Sequence, residues 1–201
     1  MIGQRLARGV LRLVGWTLVD DVPERPPKFV TIGAPHTTNW DLPIAILMFV
    51  GLGMKRNWVG KHTLFRPPLG WLMRALGGVP LDRSKRHNFV DQVVAAFDGA
   101  EEMVIALAPE GTRSHTSHWK TGFYYIAVGA NVPIVLAFID YPTKRIGLGS
   151  ILYPTGDLDA DIQFIRDFYA DKRGKRPENE GEIRARPPRE NQAASGAEAG
   201  P

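Results

Sequence analysis

A histidine and an aspartate five positions apart are the side chains of this chain best suited to acid–base chemistry. His36 lies in a loop before a predicted helix, and Asp41 lies in the first turn of that helix. At this spacing the carboxylate can accept the Nδ1 proton of the imidazole, which leaves Nε2 free to act as a general base. The alternative is an Asp41 that only stabilises the helix start, beside a His36 that is an ordinary loop residue.

A second polar loop, Pro-Glu-Gly-Thr-Arg-Ser at 109–114, follows the apolar run 103–108. A sharp turn after a buried strand exposes backbone N–H groups, and Arg113 adds a guanidinium group that can form paired hydrogen bonds. Such a loop suits a phosphate group. The alternative is a charged turn closed by an ion pair between Glu110 and Arg113.

Together, in this order and spacing, the two loops resemble the glycerolipid acyltransferase family, which is typified by 1-acyl-sn-glycerol-3-phosphate acyltransferases. His36 and Asp41 match the first sequence block of that family, and the resemblance extends over about residues 29–139. The second, third and fourth blocks are similar to residues 77–83, 110–114 and 132–135. Four blocks in the right order are a specific signal, although no single block would be.

The resemblance implies a direct acyl transfer without an enzyme nucleophile. His36 would take the proton from a glycerol-type hydroxyl while that hydroxyl attacks the thioester of an acyl-CoA or acyl-carrier protein. Asp41 would hold the imidazole tautomer and stabilise the imidazolium. The backbone amides of Gly111 and Thr112 would stabilise the developing oxyanion.

The resemblance also implies a lyso-lipid acceptor such as 1-acylglycerol 3-phosphate. Arg83 and Arg113 would bind its phosphate, and Glu110 would orient Arg113 or a substrate hydroxyl. We expect no metal and no organic cofactor beyond the thioester donor. Two alternatives stay open: an acyltransferase that acts on a different lipid acceptor, such as an ornithine lipid or a glycolipid precursor, and a thioesterase or esterase.

The alternation of apolar runs with helical stretches predicts an α/β fold, a single-domain sheet with helices on both faces. Ligands of such sheets bind beyond the carboxyl ends of the strands, where both polar loops are expected. The predicted helices are 42–53, 89–100 and one that ends near 129. The predicted strands are 29–33, 58–60, 79–81, 103–108, 145–153 and one that begins near 133.

The two ends of the chain differ from this 20–170 acyltransferase domain. In residues 1–19, Ile2, Leu6, Val10, Leu13 and Val14 form one helical stripe with arginines between them, which predicts an amphipathic helix in the membrane interface. The alternative is a helix packed on its own domain. Residues 171–201 are rich in Gly, Pro and charge, and we expect a mostly disordered polar tail with at most a short edge strand around 181–184.

The composition and charge of the chain limit the classes of mechanism and of binding partner. The 201 residues contain no cysteine, which excludes disulfide scaffolds and cysteine nucleophiles, and their net charge is +4. Within 55–87 there are eight basic residues and one acidic residue. Such a charge run is either a solvated face or a surface that faces anionic lipid, CoA phosphates or an acidic carrier protein. Without a recognition helix or a zinc-ligand spacing, we expect no nucleic-acid partner. The predicted location is peripheral, on the cytoplasmic face of a membrane.

Overall fold

The computed structural model describes residues 2–54, 58–61, 66–67, 70–71, 78–81 and 89–185 of the chain. Within these residues the strands are β1 (Thr17–Asp20), β2 (Lys28–Ala34), β3 (Trp58–Lys61), β4 (Gly78–Leu81), β5 (Met103–Leu107), β6 (Ile134–Asp140) and β7 (Arg145–Leu152). The helices are α1 (Ile2–Leu13), α2 (Asp41–Gly51), α3 (Phe89–Asp98), α4 (Gly122–Gly129) and α5 (Leu158–Tyr169), and a short 3₁₀ turn follows at Pro177–Asn179. The predicted α/β class is confirmed.

Five strands form one mixed sheet in the order β1-β7-β6-β2-β5. The central strand β2 is parallel to β5 on one side and to β6 on the other, whereas β7 is antiparallel to β6. Since β2, β5 and β6 all run in the same direction, their carboxyl ends lie at one edge of the sheet. The loops that follow these three strands are therefore neighbours.

Helices cover both faces of this sheet, as predicted. Side chains alternate along β2, so that Val30 and Ile32 pack into one core cluster while Phe29 packs into the other. Helices α3, α4 and α5 cover the first face and α1 and α2 the second; their buried contacts include Phe97, Phe123, Ile165, Leu11 and Met48.

The amino-terminal segment does not form one helix over residues 1–19. Helix α1 ends at Leu13, and Gly15, with a φ of 81°, turns the chain in a conformation that favours glycine. Residues Thr17–Asp20 then become strand β1, which pairs in parallel with β7. Edge-strand pairing thus ends the helix well before the predicted boundary.

Three more elements differ from prediction. The short strands β3 and β4 pair with each other in a separate two-stranded sheet instead of joining the main one. Helix α5, which the sequence reading did not assign, packs Ile162, Ile165 and Tyr169 into the core. Its amino end is capped by Asp157, whose carboxylate accepts the N–H groups of Asp159 and Ala160.

The structure departs from the predicted polar tail over residues 171–185. This segment, here called the strap, runs from the end of α5 back across the edge of the sheet that carries the two polar loops. Its backbone is fixed by hydrogen bonds, including Glu182 N–H to Thr116 C=O at 2.9 Å, and an isolated parallel bridge joins Ala185 to Trp119. Residues 186–201 lie outside the described residues. None of the helices in the described ranges is long and apolar enough to cross a membrane.

Candidate active site

His36 is positioned by the end of the central strand. The loop that carries it leaves β2 at Ala34, passes through a cis Ala34–Pro35 peptide bond and enters α2 at Asp41. The loop 109–114 leaves the neighbouring strand β5, whose Leu107 is in register with Ile32 of β2. The sheet therefore brings the two loops together at one edge.

The structure brings His36 and Asp41 into direct contact. The Nδ1 atom of His36 lies 3.1 Å from Oδ2 of Asp41. The His36 side chain keeps 25% of its surface exposed, while that of Asp41 keeps 6%. An ionised Asp41 in this position accepts the Nδ1 proton and leaves Nε2 as the free ring nitrogen.

Asp41 is also the hydrogen-bonding centre of its loop. Its Oδ2 atom accepts the backbone N–H groups of Thr37 and Thr38 at 2.8 and 2.9 Å, and Oδ1 accepts the hydroxyl of Thr38. Burial raises the pKa of Asp41, but the hydrogen bonds from His36, Thr38 and Tyr141 outweigh it and lower that pKa to about 2. The carboxylate is therefore ionised at neutral pH.

Tyr141 is a residue of the site that the sequence reading missed. Its hydroxyl donates to Oδ1 of Asp41 at 2.7 Å, and burial together with the Asp41 carboxylate raises the pKa of the phenol to about 12. Tyr141 follows directly after β6. A polar aromatic residue just beyond the carboxyl end of a strand was the signal that could have identified it.

Glu110 faces the His36 loop instead of Arg113. Its Oε1 atom accepts the backbone N–H of His36 at 2.8 Å, and only 3% of the residue is exposed. Burial raises the pKa of Glu110 to about 7, although the His36 N–H opposes this shift. One carboxylate oxygen is thus used by the His36 backbone, while Oε2 is buried without a hydrogen-bond partner among the described residues.

The other predicted residues of the second loop do not line the cavity beside His36. The Gly111 N–H donates to Ala108 C=O at 3.0 Å, so the turn itself uses this amide, which was predicted to stabilise an oxyanion. The Thr112 hydroxyl accepts the N–H of Ser114, and Arg113 is exposed. Arg83 lies outside the described residues, as does most of the basic segment 55–87.

A largely apolar cavity of about 230 Å³ opens beside the pair. His36 and Asp41 form its polar end. Strands β2, β5 and β6 and helix α2 supply its wall, which includes Leu42, Met48, Phe49, Leu107, Phe138 and Ile139. A cavity with one polar end and an apolar wall fits a molecule that joins a reactive polar group to a hydrocarbon chain.

No group of three or more His, Asp or Glu side chains in the described ranges is arranged to hold a metal ion. His115 and His118 follow the second loop, and Nδ1 of His118 lies 3.0 Å from the Ser117 hydroxyl.

Comparisons with known proteins agree on one family. A family model described as Acyltransferase matches residues 20–139. Over 82 residues the chain is 37% identical to a 1-acyl-sn-glycerol-3-phosphate acyltransferase of Saccharomyces cerevisiae, a match that covers 37% of this chain and 27% of the yeast protein. Over 100 residues it is 32% identical to the protein of the same name from Escherichia coli, covering 46% of this chain and 40% of that protein. The chain thus spans less than half the length of either relative.

A solved structure shares the fold. The crystal structure of the 1-acyl-sn-glycerophosphate (LPA) acyltransferase PlsC from Thermotoga maritima superposes with a TM-score of 0.53 and 18% sequence identity. The superposition covers 82% of this chain and 74% of that one. At this identity the likeness concerns the fold alone.

Proposed function

This chain belongs to the acyltransferase family, and from that premise we propose that it is an O-acyltransferase that moves a fatty acyl group from a thioester to the hydroxyl of a lysophospholipid. The proposed acceptor is 1-acylglycerol 3-phosphate, the substrate class named for both curated relatives. The observation that carries the proposal is the 3.1 Å contact between His36 Nδ1 and Asp41 Oδ2 at the polar end of an apolar cavity.

In the proposed reaction His36 is the general base. Its Nε2 atom removes the proton of the acceptor hydroxyl while the oxygen forms a bond to the thioester carbonyl carbon. The carbon–sulfur bond then breaks, and the thiolate takes the proton from the imidazolium. General-base catalysis of this kind supplies about 10²- to 10⁴-fold in rate.

Asp41 is proposed to keep the imidazole in the reactive tautomer. An aspartate with a pKa of about 2 is ionised throughout the physiological range, so it accepts the Nδ1 proton and stabilises the positive charge that forms on the ring. Tyr141 and the backbone amides of the loop hold the carboxylate in place. The catalytic pair is thus oriented before a substrate arrives.

The two substrates are proposed to meet at the edge of the sheet. The acyl chain of an acyl-CoA or acyl-carrier protein enters the apolar cavity, and the reaction uses no metal or cofactor besides this thioester. Arg113, exposed at the end of the second loop, and Arg83 are the proposed ligands of the acceptor phosphate. Glu110 positions the base indirectly, because its carboxylate accepts the backbone N–H of His36.

We further propose that the protein lies peripherally on the cytoplasmic face of a membrane that contains anionic lipid. Helix α1 packs on its own domain through Ala7 and Leu11, yet it leaves most of its apolar stripe in solvent. Ile2, Leu6 and Leu13 are 87%, 67% and 86% exposed. Exposed leucines next to arginines support insertion into a lipid interface, where a lyso-lipid acceptor resides.

A direct assay tests the proposed reaction. The purified protein is incubated with radiolabelled palmitoyl-CoA or palmitoyl-acyl-carrier protein, and with 1-acylglycerol 3-phosphate in mixed micelles. We expect labelled phosphatidic acid to accumulate in proportion to enzyme. Parallel reactions contain an ornithine-containing lyso-lipid, a glycolipid precursor, or no acceptor.

The parallel reactions separate the alternatives. Faster transfer to another lyso-lipid would contradict the proposed acceptor but keep the acyltransferase. Release of free fatty acid at the same rate with and without an acceptor would instead identify a thioesterase.

A further inference from the structure

Four of the five residues at 172–176, in the strap, are cationic, and the reaction proposed above uses none of them. The sequence Lys-Arg-Gly-Lys-Arg was expected to belong to a polar tail. In the structure it lies against the loop that carries His36.

The first half of this basic segment is tied to the end of strand β6. The Arg173 N–H donates to Oδ1 of Asp140 at 3.0 Å, and the Arg173 carbonyl accepts the N–H of Tyr141 at 3.0 Å. Because Tyr141 also binds Asp41, the segment is connected to the catalytic pair through one intervening side chain.

The second half is tied to the His36 loop itself. The Arg176 N–H donates to the Thr37 hydroxyl at 3.2 Å, and the Gly174 N–H donates to Oε1 of Glu180 at 2.6 Å. A β-carbon at position 174 would lie 2.7 Å from the Thr37 hydroxyl oxygen, so a glycine permits this close approach. The strap therefore places residues 175 and 176 directly beside the residue that follows His36.

Two of the four cations, Lys172 and Arg173, bind groups at the carboxyl end of helix α5. The Lys172 ammonium donates to the carbonyl of Phe168 and to Asp171, and it also lies 4.1 Å from the centre of the Phe168 ring. Arg173 donates to the carbonyl of Ala170. Cations at a helix carboxyl end neutralise its unpaired carbonyl groups, so a structural role explains this pair.

The other two cations, Lys175 and Arg176, have no such role. Both are exposed, and in the part of the chain that the structure describes neither forms an ion pair with a carboxylate. The Lys175 ammonium lies 5.7 Å from the ring centre of Trp40, the exposed residue just before Asp41. Cation–ring contacts leave an ammonium able to bind an anion.

Three acidic residues of this region, Asp41, Glu110 and Glu180, have other partners. Asp41 is buried and bound to His36, Glu110 is buried behind the His36 backbone, and Glu180 accepts the Gly174 N–H. Within the described residues, two positive charges without a carboxylate partner thus lie beside Thr37 and Trp40, in the loop that carries the proposed base. Their field favours an anionic group at that point.

We propose that Lys175 and Arg176 form a binding site for a substrate phosphate group. An arginine offers paired N–H donors that match phosphate oxygens, and a lysine adds a point charge that can follow the group as it moves. The phosphate belongs either to the lyso-lipid acceptor or to the CoA part of the donor. This inference rests on the acyl transfer proposed above and adds to it a site on the strap.

The test compares two double variants in neutral detergent micelles, where the substrates are the only anionic lipids, and repeats the assay on anionic vesicles. Lys175→Gln/Arg176→Gln deletes both charges, whereas Lys175→Arg/Arg176→Lys keeps them and serves as the matched control. KM and kcat are measured for 1-acylglycerol 3-phosphate, for palmitoyl-CoA and for palmitoyl-pantetheine, a thioester without phosphate. We expect the Gln variant to raise KM at least tenfold for one phosphate-bearing substrate and to change kcat less than threefold, while the variant that keeps both charges raises the same KM by a smaller factor.

The pattern of KM values identifies the source of the phosphate. A higher KM for the acceptor alone assigns the site to the lyso-lipid, and a higher KM for palmitoyl-CoA but not for palmitoyl-pantetheine assigns it to CoA. Unchanged KM values in an otherwise active enzyme would overturn this inference and leave the proposed function intact. A defect seen only on anionic vesicles would also overturn it, because the cations would then bind the membrane. A wild-type enzyme without transfer activity would refute both proposals.

Discussion

Asp41 orients the His36 ring and the backbone of the loop at the same time. Its two carboxylate oxygens accept the imidazole, two backbone amides and the hydroxyls of Thr38 and Tyr141. A carboxylate held from so many directions has little freedom to turn, and its low pKa keeps it charged. The orientation of the proposed base therefore depends on Thr37, Thr38 and Tyr141 as well as on Asp41.

Glu110 is a buried acid whose ionisation opposes folding, and this predicts a pH dependence of stability. Burial raises its pKa from 4.5 to about 7, so the folded state binds the proton more tightly than the unfolded state. The resulting stabilisation is complete below pH 4.5 and is lost as the pH rises through 7. Between pH 5 and pH 8 this group should lower the unfolding free energy of the wild type by about 2 kcal/mol. We expect Glu110→Gln to remove that part of the decrease.

Urea denaturation at the two pH values measures this decline. Glu101→Gln, a change of the same type at an exposed position, is the control and should leave the pH dependence of the wild type unaltered. If Glu110→Gln and the wild type lose the same free energy between pH 5 and pH 8, the buried carboxyl does not ionise as described.

Sequence reasoning singled out His36, Asp41 and Glu110 from residue type, spacing and the family resemblance, but it did not predict the contact that Glu110 makes in the structure. Its partner is the backbone N–H of His36, 74 positions earlier, and a contact of that kind leaves no trace in local sequence. Tyr141 was missed for the same reason, since its partner Asp41 lies 100 positions away. Pairing across strands decides these contacts.

Among the elements, the buried strands were the easiest to predict. Strands β2, β5 and β6 are short apolar runs bounded by turn residues, a pattern typical of strands covered on both faces. Strand β1 could not be recognised, because its four residues form a strand only by pairing with β7, with Thr17 opposite Arg145. Helix α5 did carry a signal, a capping Asp157 followed by apolar residues at helical spacing.

The strap shows where an argument from composition fails. Residues 171–185 contain few apolar side chains, so burial of side chains predicts no order for them. Their backbone groups, however, pair with the loops around the site, as the bonds from Arg173 to Asp140 and from Arg176 to Thr37 illustrate. Such backbone pairing can fix a polar segment without a core of its own.

The exposed apolar stripe of helix α1 predicts that this helix contributes to membrane binding. We expect Leu6→Gln/Leu13→Gln to weaken binding to vesicles of phosphatidylglycerol and phosphatidylcholine at least tenfold. The reason is that transfer of each leucine side chain from water into the lipid contributes about 1.5 kcal/mol or more to the binding free energy. Neither side chain belongs to the core, so the thermal unfolding midpoint should stay within about 2 °C of wild type. Co-sedimentation over a lipid titration measures the affinity.

The control for this helix is Val128→Gln, an exposed apolar residue of α4 on the other face of the sheet. It should bind vesicles like the wild type. If the α1 variant also binds like the wild type, the exposed stripe does not contact lipid and the helix serves only to cover its own domain.

At the scale of the whole molecule, the direction of the strands creates the site. Because β2 is parallel to both β5 and β6, the loops with His36, Glu110 and Tyr141 meet at one edge. The sequence predicted that edge from the alternation of strands and helices. It did not predict the strand order or the antiparallel β7, because both depend on pairing between segments that are far apart in the chain.

The proposed acyl transfer requires His36 as its base, and His36→Ala tests this claim. The measurement is kcat/KM for transfer from palmitoyl-CoA to 1-acylglycerol 3-phosphate, with the thermal unfolding of both proteins recorded to show that the fold is kept. We predict a loss of at least about 100-fold at an unchanged unfolding midpoint. A folded His36→Ala protein that transfers acyl groups within threefold of the wild-type rate would contradict the claim.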